Sequence, residues 1–141
     1  MANLTVTASQ VKAGEGALTA SATFGQAVTP GQCVFFDPDS QSYKLATAVS
    51  PALLVSEVKG IALSTVTATS GGSGTLLTDG LLIIGAGAAP VKGTTYILGA
   101  TAGSIAPDAD AVSTWNKTVI GVGDGNGGIL VSINASNQTI A

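Results

Sequence analysis

Short apolar stretches separated by turn residues recur along the sequence, and this pattern constrains the fold more than any other feature. The stretches are rich in Val, Ile, Leu and Thr: LTVTA, ALTASAT, QCVFF, YKLATAV, KGIALSTV, GTLLTDGLLII, TTYIL, TVIGVG and GILVSI. Gly, Pro, Asp or Asn lie between them, as in TPGQ, FDPDS, TSGGSG and APDAD. Short strands at regular spacing with such turns are typical of sandwiches and barrels. The sequence therefore predicts an all-β fold, a compact antiparallel β-sandwich or β-barrel-like domain.

Helix signals are sparse by comparison. Ser50 is suited to cap a turn beginning at Pro51 in SPALLVSE, and PDADAVSTW has room for another. We expect at most one or two short helices within loops.

With 141 residues, of which 45% are hydrophobic, the chain has the size of one ordinary domain with one core.

The beginning of the chain differs from the rest because it has few large side chains, as in ASQVKAGEGALTASATFG. Such a segment can hardly form a core of its own. We predict that residues 1–25 form an extended N-terminal arm or an edge strand, and that residues 26–141 form the single β-rich domain.

Two parts of the sequence echo each other. VTPGQCVFF followed by VKGIALS is similar to VKGTTYIL followed by VIGVGDG, and the spacing from Gly31 to Gly60 nearly equals that from Gly93 to Gly121. Either the core consists of two related β units, or the echo is a chance recurrence in a chain with 19 glycines.

Two glycine runs match the spacing of phosphate-binding loops. LLIIGAGAAP at residues 81–90 has Pro90 at the third glycine position, and the β-branched run after it does not favour a helix. GDGNGG at residues 123–128 leads into an apparent strand. Since a dinucleotide site needs a helix that begins in the loop, both runs are predicted to be turns.

Other candidate sites are incomplete. Asp124 and Asn126 begin like a calcium loop, but Ala135 occupies the position of the closing Glu. A second set, Asp37, Asp39 and Ser40, is too small to supply the six or more oxygen ligands that calcium requires. The Ser-x-x-Lys pairs Ser9/Lys12 and Ser56/Lys59 lack the further elements of penicillin-recognising enzymes. Histidine and arginine are absent, and Cys33 is expected to be a packed hydrophobe. We expect no catalysis, no metal, no cofactor and no small-molecule substrate.

The charge balance also limits the partners. Only 9% of the residues are charged, and the formal net charge is -3, which is a poor composition for binding nucleic acid. No apolar run approaches the length of a membrane helix, and the N-terminus has no signal-peptide pattern. We therefore expect neither a nucleic-acid nor a membrane partner and no Sec-type export.

From Phe24 to Ile133 the chain resembles a known family through FGQAVTPGQCVFF, KLATAV, VKGIALS, GTLLTDGLLIIGAGAAPVKGTTYILGATAGSIAPDAD and TVIGVG. These stretches are similar to the capsid cement, or head decoration, proteins of tailed bacteriophages. The family shares a Gly-Gln strand, a Gly-Ile-Ala segment, a Gly-x-x-Tyr-x-Leu strand and a Thr-Ala-Gly-x-Ile-x-Pro loop. The chain departs from the pattern at Gln26, at Gly99 and in GDGNGG, which affects loops and strand ends.

The resemblance implies a β-rich homotrimer, made in the host cytoplasm, that binds the major capsid protein on the outer surface of the virion and stabilises the expanded shell. In that setting the N-terminal arm is expected to lie across a capsid subunit. Its candidate capsid contacts are Leu4, Val6, Val11 and Leu18.

The alternative is a β-structured fibre or receptor-binding module that recognises a host surface ligand. Such a module requires an exposed aromatic or polar platform. Only Trp115, Tyr43 and Tyr96 combine an aromatic ring with a polar group, and Tyr96 lies in an apolar strand.

Overall fold

The computed structural model describes residues 6, 8–49, 53–67, 72–84, 90–110, 115–125 and 127–139. The described residues form one mixed sheet of ten strands, and the all-β prediction is confirmed. The strands are β1 (Lys12–Ala13), β2 (Leu18–Phe24), β3 (Cys33–Asp37), β4 (Ser42–Leu45), β5 (Gly60–Ala62), β6 (Gly72–Ile83), β7 (Thr95–Leu98), β8 (Ile105–Pro107), β9 (Asn116–Gly123) and β10 (Gly128–Thr139).

The helical content of the described ranges is limited to single 3₁₀ turns, at Ala8–Gln10, Leu53–Ser56 and Asp108–Asp110. The second turn lies in the predicted SPALLVSE segment, whose Ser50 and Pro51 are outside the described residues. The third lies in PDADAVSTW, of which residues 111–114 are likewise outside. Where these segments are described, they are short turns within loops.

The sheet consists of two units with the same strand order. The first unit has the order β4-β3-β5-β6 and the second has β8-β7-β9-β10, and the antiparallel pair β6/β10 joins them. The registers also correspond, because Val34 of β3 pairs with Gly60 and Tyr96 of β7 pairs with Gly121. The echo in the sequence therefore reflects a repeated topology.

Strand β2 closes the first unit into a ring. It pairs antiparallel with β6 from Leu18 to Phe24, along the edge of β6 opposite to β5. At its end, Phe24 pairs in parallel with Tyr43 of β4. The hydrogen-bonded circuit β2-β4-β3-β5-β6 returns to β2, as in a small barrel. Residues 18–24 thus belong to the sheet of their own chain.

The first unit separates two hydrophobic cores. Side chains alternate between the faces of a strand, so Cys33 of β3 lies in a large core shared with the second unit, whereas Val34 lies in a small core inside the ring. Adjacent Leu76 and Leu77 of β6 divide in the same way. Burial of each such leucine contributes about 1.5–3 kcal/mol. Because residues on both faces of β3 are buried, QCVFF is a continuous apolar run and does not alternate between apolar and polar residues.

Candidate interaction surface

The predicted capsid contacts differ in how much surface they offer. Leu4 lies outside the described residues. Val6 and Val11 are half-buried and pack against the large core beside Gly31, where an added Cβ would lie 2.6 Å from Cγ1 of Val6. Leu18, at the start of β2, is 60% exposed. Of the three described residues, Leu18 has the largest free surface for a partner.

The serines of the two Ser-x-x-Lys pairs lie in different settings in the structure. Ser9 is in a 3₁₀ turn and Lys12 is in β1. Ser56 is buried, and its hydroxyl donates to the carbonyl oxygen of Thr47 (3.0 Å) while accepting a hydrogen bond from Nδ2 of Asn116 (3.0 Å). Because its hydroxyl is part of a buried hydrogen-bond network, Ser56 has a structural role.

The acidic residues of the two suspected calcium loops stabilise turns. Asp37 forms an ion pair with Lys44 (2.9 Å), and the hydrogen bond from Lys44 is the main cause that lowers the pKa of this carboxyl. The amide of Gly128 donates to Oδ1 of Asp124 (3.0 Å) across GDGNGG, where Gly125 and Gly127 have positive φ. The turn prediction is confirmed there, whereas residues 85–89 of the other glycine run lie outside the described residues.

Within the described ranges, no three His, Cys, Asp or Glu side chains form a group able to hold a metal ion.

Two of the three aromatic residues that carry a polar group, Tyr96 and Trp115, are buried. The hydroxyl of Tyr96 accepts a hydrogen bond from the amide of Val91 (2.7 Å). Tyr43 is half-buried and packs against Phe36, with ring centroids 5.3 Å apart. Of the three residues named for an aromatic platform, Tyr43 alone is half-buried and the other two are buried.

The buried thiol of Cys33 is expected to resist alkylation. Cys33 is fully buried, and desolvation raises its pKa to about 12, so the nucleophilic thiolate is scarce at pH 8. Native protein treated with iodoacetamide at pH 8 should stay unmodified by mass spectrometry, while protein unfolded in urea should gain one label. Equal labelling rates in both states would show that Cys33 is accessible.

Strand β2 offers main-chain hydrogen-bonding groups on the edge away from β6. The amide of Gly25 donates to the carbonyl oxygen of Tyr43 on β4 (2.9 Å). Because main-chain groups alternate in direction along a strand, those of Ser21 point to the same side, beyond the pair Phe24/Tyr43 at which β2 meets β4. No charged side chain lies on β2. An uncharged edge of this kind suits the addition of a strand from another protein.

A row of side chains crosses the solvent face of four strands, and we name it the second-unit row. It consists of Leu81 of β6, Leu130 of β10, Val122 of β9 and Thr95 of β7, each paired in register with the next. Leu130 is 54% exposed and Val122 is 38% exposed. Together with the half-buried Leu81 and Thr95, these two residues form a largely apolar stripe on the surface.

The sequence did not indicate this row, because Leu130 and Val122 lie within apolar stretches that look like core strands. Only the pairing shows that they point outward together.

An uncharged strand edge and an apolar stripe are suited to binding another polypeptide. Among the described residues, no helix is long and apolar enough to span a membrane. Neither a protein-family model nor a curated protein matches this chain.

Proposed function

We propose that this chain is a non-catalytic capsid cement protein, which binds the outer surface of a tailed-phage shell as a homotrimer and stabilises the expanded shell. The observation that carries the proposal is the set of motifs that the sequence has in common with such proteins, from Phe24 to Ile133. The partner is the major capsid protein, and the location is the virion surface.

The positions of the motif residues support a structural role. Gly31, Gly93 and Gly103 of the motifs adopt positive φ in turns that precede β3, β7 and β8, a conformation that favours glycine. At Gly60 an added Cβ would lie 2.6 Å from Cδ1 of Leu76. The motifs are therefore requirements of the fold, as expected for a family defined by its architecture.

The surface supports the proposal in a second respect. A trimer on a threefold axis makes three equivalent contacts, so modest footprints combine through a high effective concentration. The edges of β2 in the three protomers provide such footprints without charged residues. Their binding should therefore depend only weakly on salt.

Co-sedimentation with shells tests the proposal. The purified protein is mixed with mature capsids that lack it and, in parallel, with unexpanded procapsids, at 0.1 and 0.5 M salt. We expect saturable binding to mature shells in multiples of three per site, little changed by salt. Absence of binding to both shells would overturn the proposal and favour the fibre or receptor-binding alternative, for which a glycan array is the next measurement.

A further inference from the structure

The two units bury their equivalent faces unequally. In the first unit, Cys33 pairs with Ile61, and Ile61 pairs with Leu77. In the second unit, the same positions of the repeat form the second-unit row: Thr95 pairs with Val122, and Val122 with Leu130. Since Gly60 and Gly121 correspond, Ile61 corresponds to Val122 and Leu77 to Leu130.

The row of the first unit is completely covered. Cys33, Ile61 and Leu77 are each 0% exposed and belong to the large core. The same core contains Tyr96, Ile120 and Ile129 from the opposite face of the second unit. This face of the repeat is thus one that packs against protein of the same chain.

In the second-unit row, Leu130 and Val122 have no such cover within the described residues, whereas Leu81 and Thr95 are half-buried. Leu130 and Val122 keep large exposed fractions, and Val91, beside β9, is 60% exposed. None of the side chains in the row is charged. A partner that matches it must therefore present an apolar surface, and a second copy of this chain, with only 9% charged residues, has few charges to oppose the contact.

We propose that a second copy of this chain covers the second-unit row, so that the row is a subunit interface. In each copy, the row Cys33, Ile61 and Leu77 of the first unit is covered within the chain, and the equivalent row of the second unit is covered by a neighbouring copy. This inference names the interface of the proposed homotrimer, and to that extent it rests on the proposed function. In a cyclic trimer the contact is heterologous, because the row of one protomer meets a different surface of the next.

The test is the oligomeric state of the full chain by size-exclusion chromatography with light scattering, over a hundredfold range of concentration. The variant V122T/L130T has β-branched side chains suited to strands at both positions, but it removes apolar surface from the row. Its matched control is Leu18→Thr, which alters a leucine of similar exposure away from the row. We expect a wild-type trimer, an unchanged control, and assembly of the double variant weakened about tenfold or more.

Because both substituted residues face solvent within the chain, the double variant should retain the far-UV circular dichroism of the wild type. A second variant, Val122→Lys, adds a charge to the row and should also dissociate the trimer. A monomeric wild type, or variants that assemble like the wild type, would overturn the inference. A trimer that depends on the row but does not bind shells would retain the inference and remove the capsid proposal.

Discussion

Replacing Gly121 with alanine is expected to lower the free energy of unfolding by about 3–5 kcal/mol. A Cβ at this position would lie 2.1 Å from the carbonyl oxygen of Leu130 and 2.9 Å from its carbonyl carbon. Both atoms are backbone, so no rotamer change relieves the clash. The methyl group fits only if β9 and β10 separate, which breaks the ladder between them.

The matched control is Gly93→Ala in the same unit. Gly93 has φ +79 and no atom within 4 Å of an added Cβ, so alanine there carries only the cost of a left-handed conformation, about 1–2 kcal/mol. Urea unfolding followed by circular dichroism measures both variants. If the urea midpoint of Gly121→Ala is equal to or higher than that of Gly93→Ala, the prediction is wrong, because β9 and β10 then accommodate the methyl group without separating.

Replacing Phe24 with alanine is expected to cost about 3–5 kcal/mol, because it removes a fully buried aromatic side chain from a well-packed site. Phe24 fills the small core and packs near Tyr43, with ring centroids 6.2 Å apart. It also occupies the position at which β2 meets both β4 and β6. Its loss therefore weakens the closure of the ring.

Leu18→Ala on the same strand provides the comparison. Leu18 is 60% exposed, so its truncation should change stability by less than about 0.5 kcal/mol. Thermal unfolding by calorimetry distinguishes the two variants. If the two variants are equally stable, residues 1–25 act as an arm that the domain does not need for its stability.

Much of the strand content could be predicted, because local pattern and turn residues determine whether a strand forms. The predicted stretches correspond to β2, β3, β4, β5, β6, β7, β9 and β10. Strand β8, at Ile105–Pro107, is too short to give a pattern and was not predicted. The pairing of β2 with β6 was also beyond prediction, because it joins segments distant in the chain through main-chain hydrogen bonds that have no sequence signature.

The candidate surface was less predictable than the fold. The apolar character of Leu130 and of Ile129 is alike in sequence, yet the first is 54% exposed and the second is buried. Which of two adjacent apolar residues faces solvent depends on which face of the sheet another layer covers. The sequence echo located the repeat, but only the three-dimensional packing distinguishes its covered face from its open one.

Closure of the ring by β2 has a consequence for synthesis on the ribosome. Strand β2 emerges early, but its partner β6 begins only at Gly72. At about 5–20 residues per second, several seconds pass before the two can pair. During this interval a nascent strand with no charged residue is open to wrong partners, including other nascent chains. Slow elongation or crowded polysomes should therefore reduce the soluble yield.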